Sequence, residues 1–395
     1  MRVLLRDRDF RLLLAGQTLS ALGDYAMFLV LGIWAKELTG SNAAAGLTIL
    51  PFALPALFGP ALGVLVDRFP RRLVMIVTDV VAAVVVTSLI AVDGVEDMWI
   101  LYTVSFATGV IVTVYQAARA GLLRGMLDEG ALGEANGLLQ ATNQGMRLLA
   151  PLAGAGLFAV VGGPAVALLD AATFLASAVL LGAMRAPDLE RRRHPVRWWS
   201  EIREGLHHIG GSPDLMQLTI GTAMVTLLFG CTEVFVYALV DEGLHRPPEF
   251  LGVLASIQGV GAVAGGILAG AALRRWGELS TVSIACAGAG IGMIAFGTAI
   301  MALVVLACLG FGVVVTLFMV GYQTLMQKRT PDELQGRVMA AVEAAVTFPY
   351  VVSVAIGAAL VAVVPFQLVY TVGGLGAMAA SLYFVRGRDR AVTTA

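Results

Sequence analysis

Of 395 residues, 58% are hydrophobic, only 13% are charged and 46 are glycine. An average soluble domain carries roughly 25% charged residues, so this chain has too little polar surface to cover a globule in water. The formal net charge of −1 argues against nucleic acid as a partner, and a mean hydropathy of +0.85 points to lipid as the solvent.

A bilayer span needs about 20 mostly apolar residues, so twelve spans would use about 240 residues and leave short connections. The N-terminal residues 1–11 are basic and run into a hydrophobic stretch too long for a signal-peptide core, so the first span is expected to stay in the mature protein. Apolar windows predict helices over 12–36, 43–66, 73–93, 98–118, 135–161, 164–184, 215–240, 249–273, 279–301, 303–326, 337–363 and 366–385. The expectation is an all-α polytopic membrane protein. Its one long break gives an N-terminal six-helix bundle over 1–184, a linker over 185–213 and a C-terminal six-helix bundle over 214–395.

In the linker, Trp198, Trp199, Ile202, Leu206 and Ile209 fall on one helical face, next to the basic run Arg191, Arg192 and Arg193. This pattern fits a helix lying in the membrane interface, or a linker helix packed on the bundle ends. His194, His207 and His208 read as solvated loop residues. Cys231, Cys286 and Cys308 lie inside apolar runs with no pairing framework or metal-ligand spacing; they read as small hydrophobes. No metal or cofactor is expected.

The charge is sharply segregated. With alternate loops assigned to alternate sides, 23 of the 26 Lys and Arg fall on the side of the N-terminus. Lys36 and Arg246 fall opposite, among Asp93, Glu96, Asp97, Asp241, Glu242 and Glu249, and Arg147 lies within a helix. The positive-inside rule then places both termini in the cytoplasm and the chain in the cell's inner (plasma) membrane.

The two halves also repeat. Gly63-Val-Leu-Val-Asp67 with Arg71-Arg72 aligns with Gly266-Ile-Leu-Ala-Gly270 with Arg274-Arg275 at an offset of 203, and the same offset aligns residues 109–114 with 312–317. Two parallel six-helix pseudo-repeats follow, a common plan for transporters.

Ionisable groups inside spans are costly and usually functional. Asp24 lies twelve residues past Leu12, about 18 Å deep at 1.5 Å per residue. Desolvation disfavours its charged form, which suits a proton carrier. Arg147 lies at similar depth in the fifth span. The two are expected to face each other as a pair released by protonation; the alternatives are a static ion pair and a lone polar cap. Glu233 in the seventh span can meet a cationic substrate, carry a second proton or make a structural hydrogen bond. Asp79 and Glu343 lie about two turns in from helix ends, where they would snorkel or pair with loop arginines. Asp170 reads as structural. The Gly259–Gly270 region favours close helix packing and is no nucleotide loop, since no Gly-Lys-Ser/Thr follows.

At the second-to-third span connection, Gly63-Val-Leu-Val-Asp67-Arg68-Phe69-Pro70-Arg71-Arg72 resembles the signature loop of the major facilitator superfamily, with Pro70 in place of its second glycine. Further segments resemble the branch of proton-coupled exporters that includes macrolide-efflux and enterobactin-exporter relatives. These are Ser20-Ala21-Leu22-Gly23-Asp24, Ala118–Leu123 with Ala135-Asn136, and Pro331-Asp332-Glu333 followed by Gly336-Arg337-Val338-Met339. Ala150-Pro151-Leu152-Ala153-Gly154 is similar to the antiporter motif, with Pro151 and Gly154 in its key places. The fourth-span Arg-x-x-Gln-Gly motif of many drug antiporters would fall on Ser105, Thr108 and Gly109, so its arginine is absent.

The resemblance implies the major facilitator fold, with twelve transmembrane helices and alternating access. It also implies a conformational latch built from Gly63, Asp67, Arg68, Arg71, Arg72 and Asp79, engaging the eleventh helix near Arg337 and Glu343. In this fold class the first and fourth helices of each repeat line the cavity. Tyr25, Phe28, Tyr115, Gln116, Phe229, Glu233, Tyr322 and Gln323 would then bind substrate, with Asp24, Arg147 and Glu233 coupling protons.

The function expected is secondary, proton-coupled efflux of hydrophobic or amphiphilic small molecules such as drugs, macrolides or siderophores, by a monomer among membrane lipids. A lipid or lysolipid translocase and a small-molecule importer are the alternatives on the same fold. A non-transporting membrane sensor would have no need of midplane charges. An enzyme is not expected, because no nucleophile, base and orienter recur at useful spacing.

Overall fold

The computed structural model describes residues 4–127, 129–185, 198–331 and 334–393. Arg191–Arg193, His194, and the Asp332-Glu333 pair of the loop motif lie outside the described residues, as do the side chains of Trp198, Trp199 and Ile202. Among the described residues the chain is helical with no strand, and eleven helices are long and apolar enough to cross a membrane.

The first helix, α1 (Arg8–Thr39), starts where Asp7 accepts a hydrogen bond from the Phe10 amide and stops at Gly40, whose φ of 67° is the left-handed conformation that ends helices. The second predicted span is a broken one: α2 (Asn42–Leu47), α3 (Ile49–Ala53), a 3₁₀ segment (Leu54–Phe58) and α4 (Gly59–Val66). Pro51, Pro55 and Pro60 recur through it, and each lacks the amide hydrogen that a continuous ladder needs. With this segment the count reaches the twelve expected.

There follow α5 (Arg71–Thr87), α6 (Met98–Met126), α7 (Glu129–Val161) and α8 (Gly163–Gly182). The C-terminal half holds α9 (Trp198–Gly211), α10 (Pro213–Val234), the single turn α11 (Val236–Ala238) leading into a π turn over Leu239–Gly243, then α12 (Phe250–Trp276), α13 (Glu278–Gly297), α14 (Met301–Arg329), α15 (Gln335–Leu360) and α16 (Phe366–Thr393). Several predicted boundaries move, two of them at polar residues: α6 runs eight residues past 118 and so contains Arg119, and α10 ends at Val234, just after Glu233, rather than at 240.

Two compact units form, residues 1–196 and 197–395. In the first, α1 packs on α7 and α8, α5 on α6 and α8, and the broken second span on α6. In the second, α10 packs on α15 and α16, α13 on α14 and α16, and α12 on α14. Counting spans within each unit, both lists read first with fifth and sixth, third with fourth and sixth, second with fourth. The repeat seen in sequence is therefore a repeat of packing.

Its aligned glycines do equivalent work. A Cβ on Gly109 would strike the Phe52 carbonyl, and one on Gly312 would strike the Gln258 carbonyl, so the fourth helix of each unit approaches the backbone of the second at that position. Gly63 and Gly266 face open space. In the linker, α9 packs on α15 and α10: Ile209 joins the core with Leu215, Val338 and Phe384, and Gly205 lies against the Arg337 carbonyl. Of the two readings of this helix, packing on the bundle ends is the one observed.

Candidate functional site

A polar turn lies midway along α1. Gly16, Ser20 and Gly23 recur at helical spacing on its buried side, and their small size lets α8 come close: Ser177 Oγ would lie 3.1 Å from a Cβ on Gly16, and the Asp170 carboxylate and Thr173 hydroxyl fill the place of a Cβ on Gly23. Asp24, one residue on, is half-buried. Its Oδ2 accepts a 3.2 Å hydrogen bond from Ser20, and its buried Oδ1 has no partner.

No ion pair joins Asp24 to Arg147 among the described residues, which corrects the expected pairing. Arg147 is exposed and acts electrostatically on Tyr25. Helix geometry explains the difference, since neighbours in sequence point about 100° apart around the axis. Asp24 therefore turns toward Ser20, and Tyr25 toward the cations. The second cation there is Arg119 of α6, which also acts on Tyr25 and reaches Gln17 Oε1 at 3.5 Å. The helix predicted over 98–118 stops one residue short of Arg119. Its signal was an arginine in the otherwise small, apolar run Ala117-Ala118-Arg119-Ala120-Gly121.

The antiporter-like motif sets this geometry from the other side. Pro151 lies inside α7, and a Cβ on Gly154 would come within 2.7 Å of the Ala26 Cβ. Gly154 thus seats α7 against the turn of α1 that carries Asp24 and Tyr25.

The signature loop is engaged within its own unit. Asp67 pairs with Arg71 one turn later at 2.9 Å, and the Arg71 side chain crosses Gly121 of α6. Arg72 donates from Nε to the Leu181 carbonyl at 2.7 Å and from Nη2 to that of Gly182, satisfying carbonyls left open at the end of α8. Arg68 is exposed and Gly63 faces open space. Asp79 corrects the expectation of snorkelling. It is 1% exposed and lies in the interior beside Ser177, not among the loop arginines.

In the second unit, Arg337 pairs with Glu204 of α9 at 2.7 Å, while Glu343 is exposed and close enough to Tyr322 to act on it electrostatically. Two further ion pairs tie the end of α14 to its neighbours, Lys328 with Glu278 and Arg329 with Asp214 at 2.8 Å.

Glu233 is half-buried near the end of α10 and accepts a 2.7 Å hydrogen bond from Tyr350 of α15. The backbone here is interrupted. Ser353 donates to the Leu227 carbonyl and accepts from the Cys231 amide, so its hydroxyl stands between two groups that would otherwise bond to each other along α10. Tyr350 and Ser353 went unnoticed in the sequence, because nothing local marks which residue of one helix enters the ladder of another.

The expected substrate-binding aromatics divide. Tyr25 stays with the Asp24 turn, and Phe28 tilts against Phe52 with ring centres 4.9 Å apart. Gln116 and Gln323 are exposed on α6 and α14. Phe229 stacks on Phe311 at 5.8 Å, and Tyr322 stacks on Phe318 at 6.3 Å within the core of the second unit. Tyr115 is also turned inward: its buried hydroxyl lies beside Ser177 without a well-formed hydrogen bond. Phe229, Tyr322 and Tyr115 are each half-buried. Among the described residues there is no group of three or more His, Cys, Asp or Glu placed to hold a metal ion.

The sequence profile of the Major Facilitator Superfamily matches residues 13–348 and 218–394. An uncharacterized MFS-type transporter of Bacillus subtilis (strain 168), YfiS, is 26% identical over 375 residues, covering 92% of this chain and 89% of that protein. Macrolide efflux protein A of Streptococcus pyogenes is 24% identical over 262 residues, covering 65% of this chain and 64% of that protein. Among solved structures, a bacterial homologue of the iron transporter ferroportin superposes with a TM-score of 0.74 at 16% identity, covering 96% of this chain and 98% of that one.

Proposed function

Because the chain belongs to the Major Facilitator Superfamily, we propose that it is a secondary exporter that moves hydrophobic or amphiphilic small molecules, macrolides among them, out of the cell in exchange for protons. The observation that carries this reading is the α1 turn. A half-buried carboxylate, Asp24, sits midway along a spanning helix with one oxygen unpartnered, next to Tyr25, on which two cations act that form no ion pair with the carboxylate. An unpaired carboxylate in an apolar span is stable only when neutralised, and a proton does this reversibly. The likeness to a macrolide efflux protein supports both the outward direction and the substrate class.

In this reading both termini are cytoplasmic, as the Lys and Arg distribution favours, and transport proceeds by alternating access. In the first unit Tyr25, Phe28 and Gln116 contribute an amphiphilic surface near Asp24. In the second unit Glu233 and Tyr350 form a polar point of their own, where a cationic group can bind.

The test is erythromycin transport in proteoliposomes that enclose a pH-sensitive dye. Proton movement opposite to erythromycin, lost in Asp24→Asn while the variant still folds, supports the exchange. Erythromycin transport with no proton movement makes the chain a gradient-independent facilitator. Movement of a fluorescent lysolipid between leaflets, with no erythromycin transport, makes it a lipid translocase.

A further inference from the structure

Two carboxylates of the first unit have no part in the function just described. Asp170 on α8 is 2% exposed and Asp79 on α5 is 1% exposed. Neither has an ion pair among the described residues, and Asp24 lies within electrostatic range of both. A serine on the helix that carries Asp170 lies beside Asp79. Ser177 is 0% exposed, lies against Gly16 of α1 and beside Asp79, and its hydroxyl has no hydrogen-bond partner, as is also true of Asp79 Oδ2.

These groups form a line. Asp170 and Thr173 meet α1 at Gly23, whereas Ser177 meets it at Gly16. The two contacts are seven residues apart on α1, or about 10 Å along its axis, with Ser20 between them and Asp24 one residue past Gly23. Each carboxylate has a hydroxyl next to it: Thr173 donates to Asp170 Oδ1 at 3.4 Å, Ser20 donates to Asp24 Oδ2 at 3.2 Å, and Ser177 lies beside Asp79.

The other charged or titratable groups facing the line are Tyr25 on α1, Tyr115 and Arg119 on α6, and Arg147 on α7. The two arginines act on the tyrosines and pair with none of the three carboxylates. Three such groups inside one bundle cannot all carry charge without cations in contact, since each uncompensated buried charge costs several kcal/mol. Buried carboxylate chains of this kind serve as proton relays.

We propose that Asp170, Asp24 and Asp79 form a proton path through the interior of the first unit, from the side of α1 that faces α8 on toward α5, which packs on α8, with Asp24 as the point where the path meets the substrate site. The inference rests on the proton-exchange reading above. Asp170 lies toward the Gly163 end of α8, outward in that orientation, and Asp79 lies eight residues from the start of α5, toward the cytoplasm. A proton taken up by the Asp170 carboxylate passes to the Asp24 carboxylate, which restores Asp170. It then passes to Asp79 and to the cytoplasm, so one proton enters, one leaves and all three carboxylates are regenerated.

Two measurements test the path. In erythromycin-loaded proteoliposomes, Asp170→Asn and Asp79→Asn should each lower substrate-driven proton flux by on the order of tenfold or more. Wild-type flux in both variants would overturn the path while leaving proton exchange intact. Erythromycin transport by the wild type with no proton movement would overturn the exchange reading itself.

The second measurement needs neither a substrate nor a variant that must fold. Dicyclohexylcarbodiimide attacks protonated carboxyls in apolar surroundings, and mass spectrometry of the labelled wild type should find adducts on Asp170 and Asp79 as well as Asp24, falling as pH is raised. Labelling confined to Asp24, or absent from all three, would overturn the path.

Discussion

Gly23 has no side chain, and Asp170 and Thr173 occupy the space one would take. Gly23→Ala should therefore force α8 away from α1 and cost about 1–3 kcal/mol, the usual range for overpacking. Thermal unfolding in detergent would show a lowered midpoint, and an unchanged midpoint would mean the contact is looser than drawn. Depth along a helix is readable from sequence, which is why Asp24 stood out at the midplane. Orientation around the helix axis is not. The partnership assigned to Arg147 moved one residue, from Asp24 to Tyr25, and Asp79 turned from a presumed surface charge into one of the most buried groups. In both cases the deciding fact is which neighbouring helix the residue faces, and composition carries no record of that.

Glycines also act at the scale of whole elements, where the repeat makes a paired prediction. Gly109→Leu and Gly312→Leu should each destabilise the protein, because both positions press a fourth helix onto the backbone of a second. Gly63→Leu and Gly266→Leu, which face open space, should leave the unfolding midpoint nearly unchanged. Equal effects at all four would show that the matched packing is not what the repeat preserves.

The linker helix α9 offers a second contrast. The Glu204–Arg337 pair is exposed on both sides, and exposed ion pairs contribute about 0–1 kcal/mol, so Glu204→Gln should barely alter hydrogen exchange over 198–211. Gly205→Leu should raise that exchange strongly, since its side chain would collide with the α15 backbone. If the charge change loosened α9 more than the glycine change, electrostatics rather than close packing would hold the helix.

For the whole molecule, the prediction concerns sidedness. With Cys231, Cys286 and Cys308 replaced by alanine, a single cysteine introduced at Glu96 or Glu242 should react with an impermeant maleimide on intact cells. One introduced at Arg68 or Arg275 should react only after permeabilisation. The reverse pattern would invert the orientation, and with it the direction assigned to the proton path.

The sequence by itself determined the membrane setting, nearly all the spans, the two-fold repeat and the family. The first three are properties summed along the chain, so hydropathy windows, charge counts and an offset are enough to read them, whereas the family was legible through the motifs that resemble it, the loop over 63–72 above all. The second span reads in sequence as one helix over 43–66, and the structure breaks it where Pro51, Pro55 and Pro60 recur. Only the tertiary structure decided that Arg119 lies inside a helix, that Ser353 enters the ladder of α10 beside Glu233, and that Asp170, Asp24 and Asp79 share one interior. Those facts depend on how each helix is rotated about its axis. That rotation is set by close contacts at Gly16, Gly23 and Gly154, whose partners Ser177, Asp170 and Ala26 all lie more than 100 residues away in sequence.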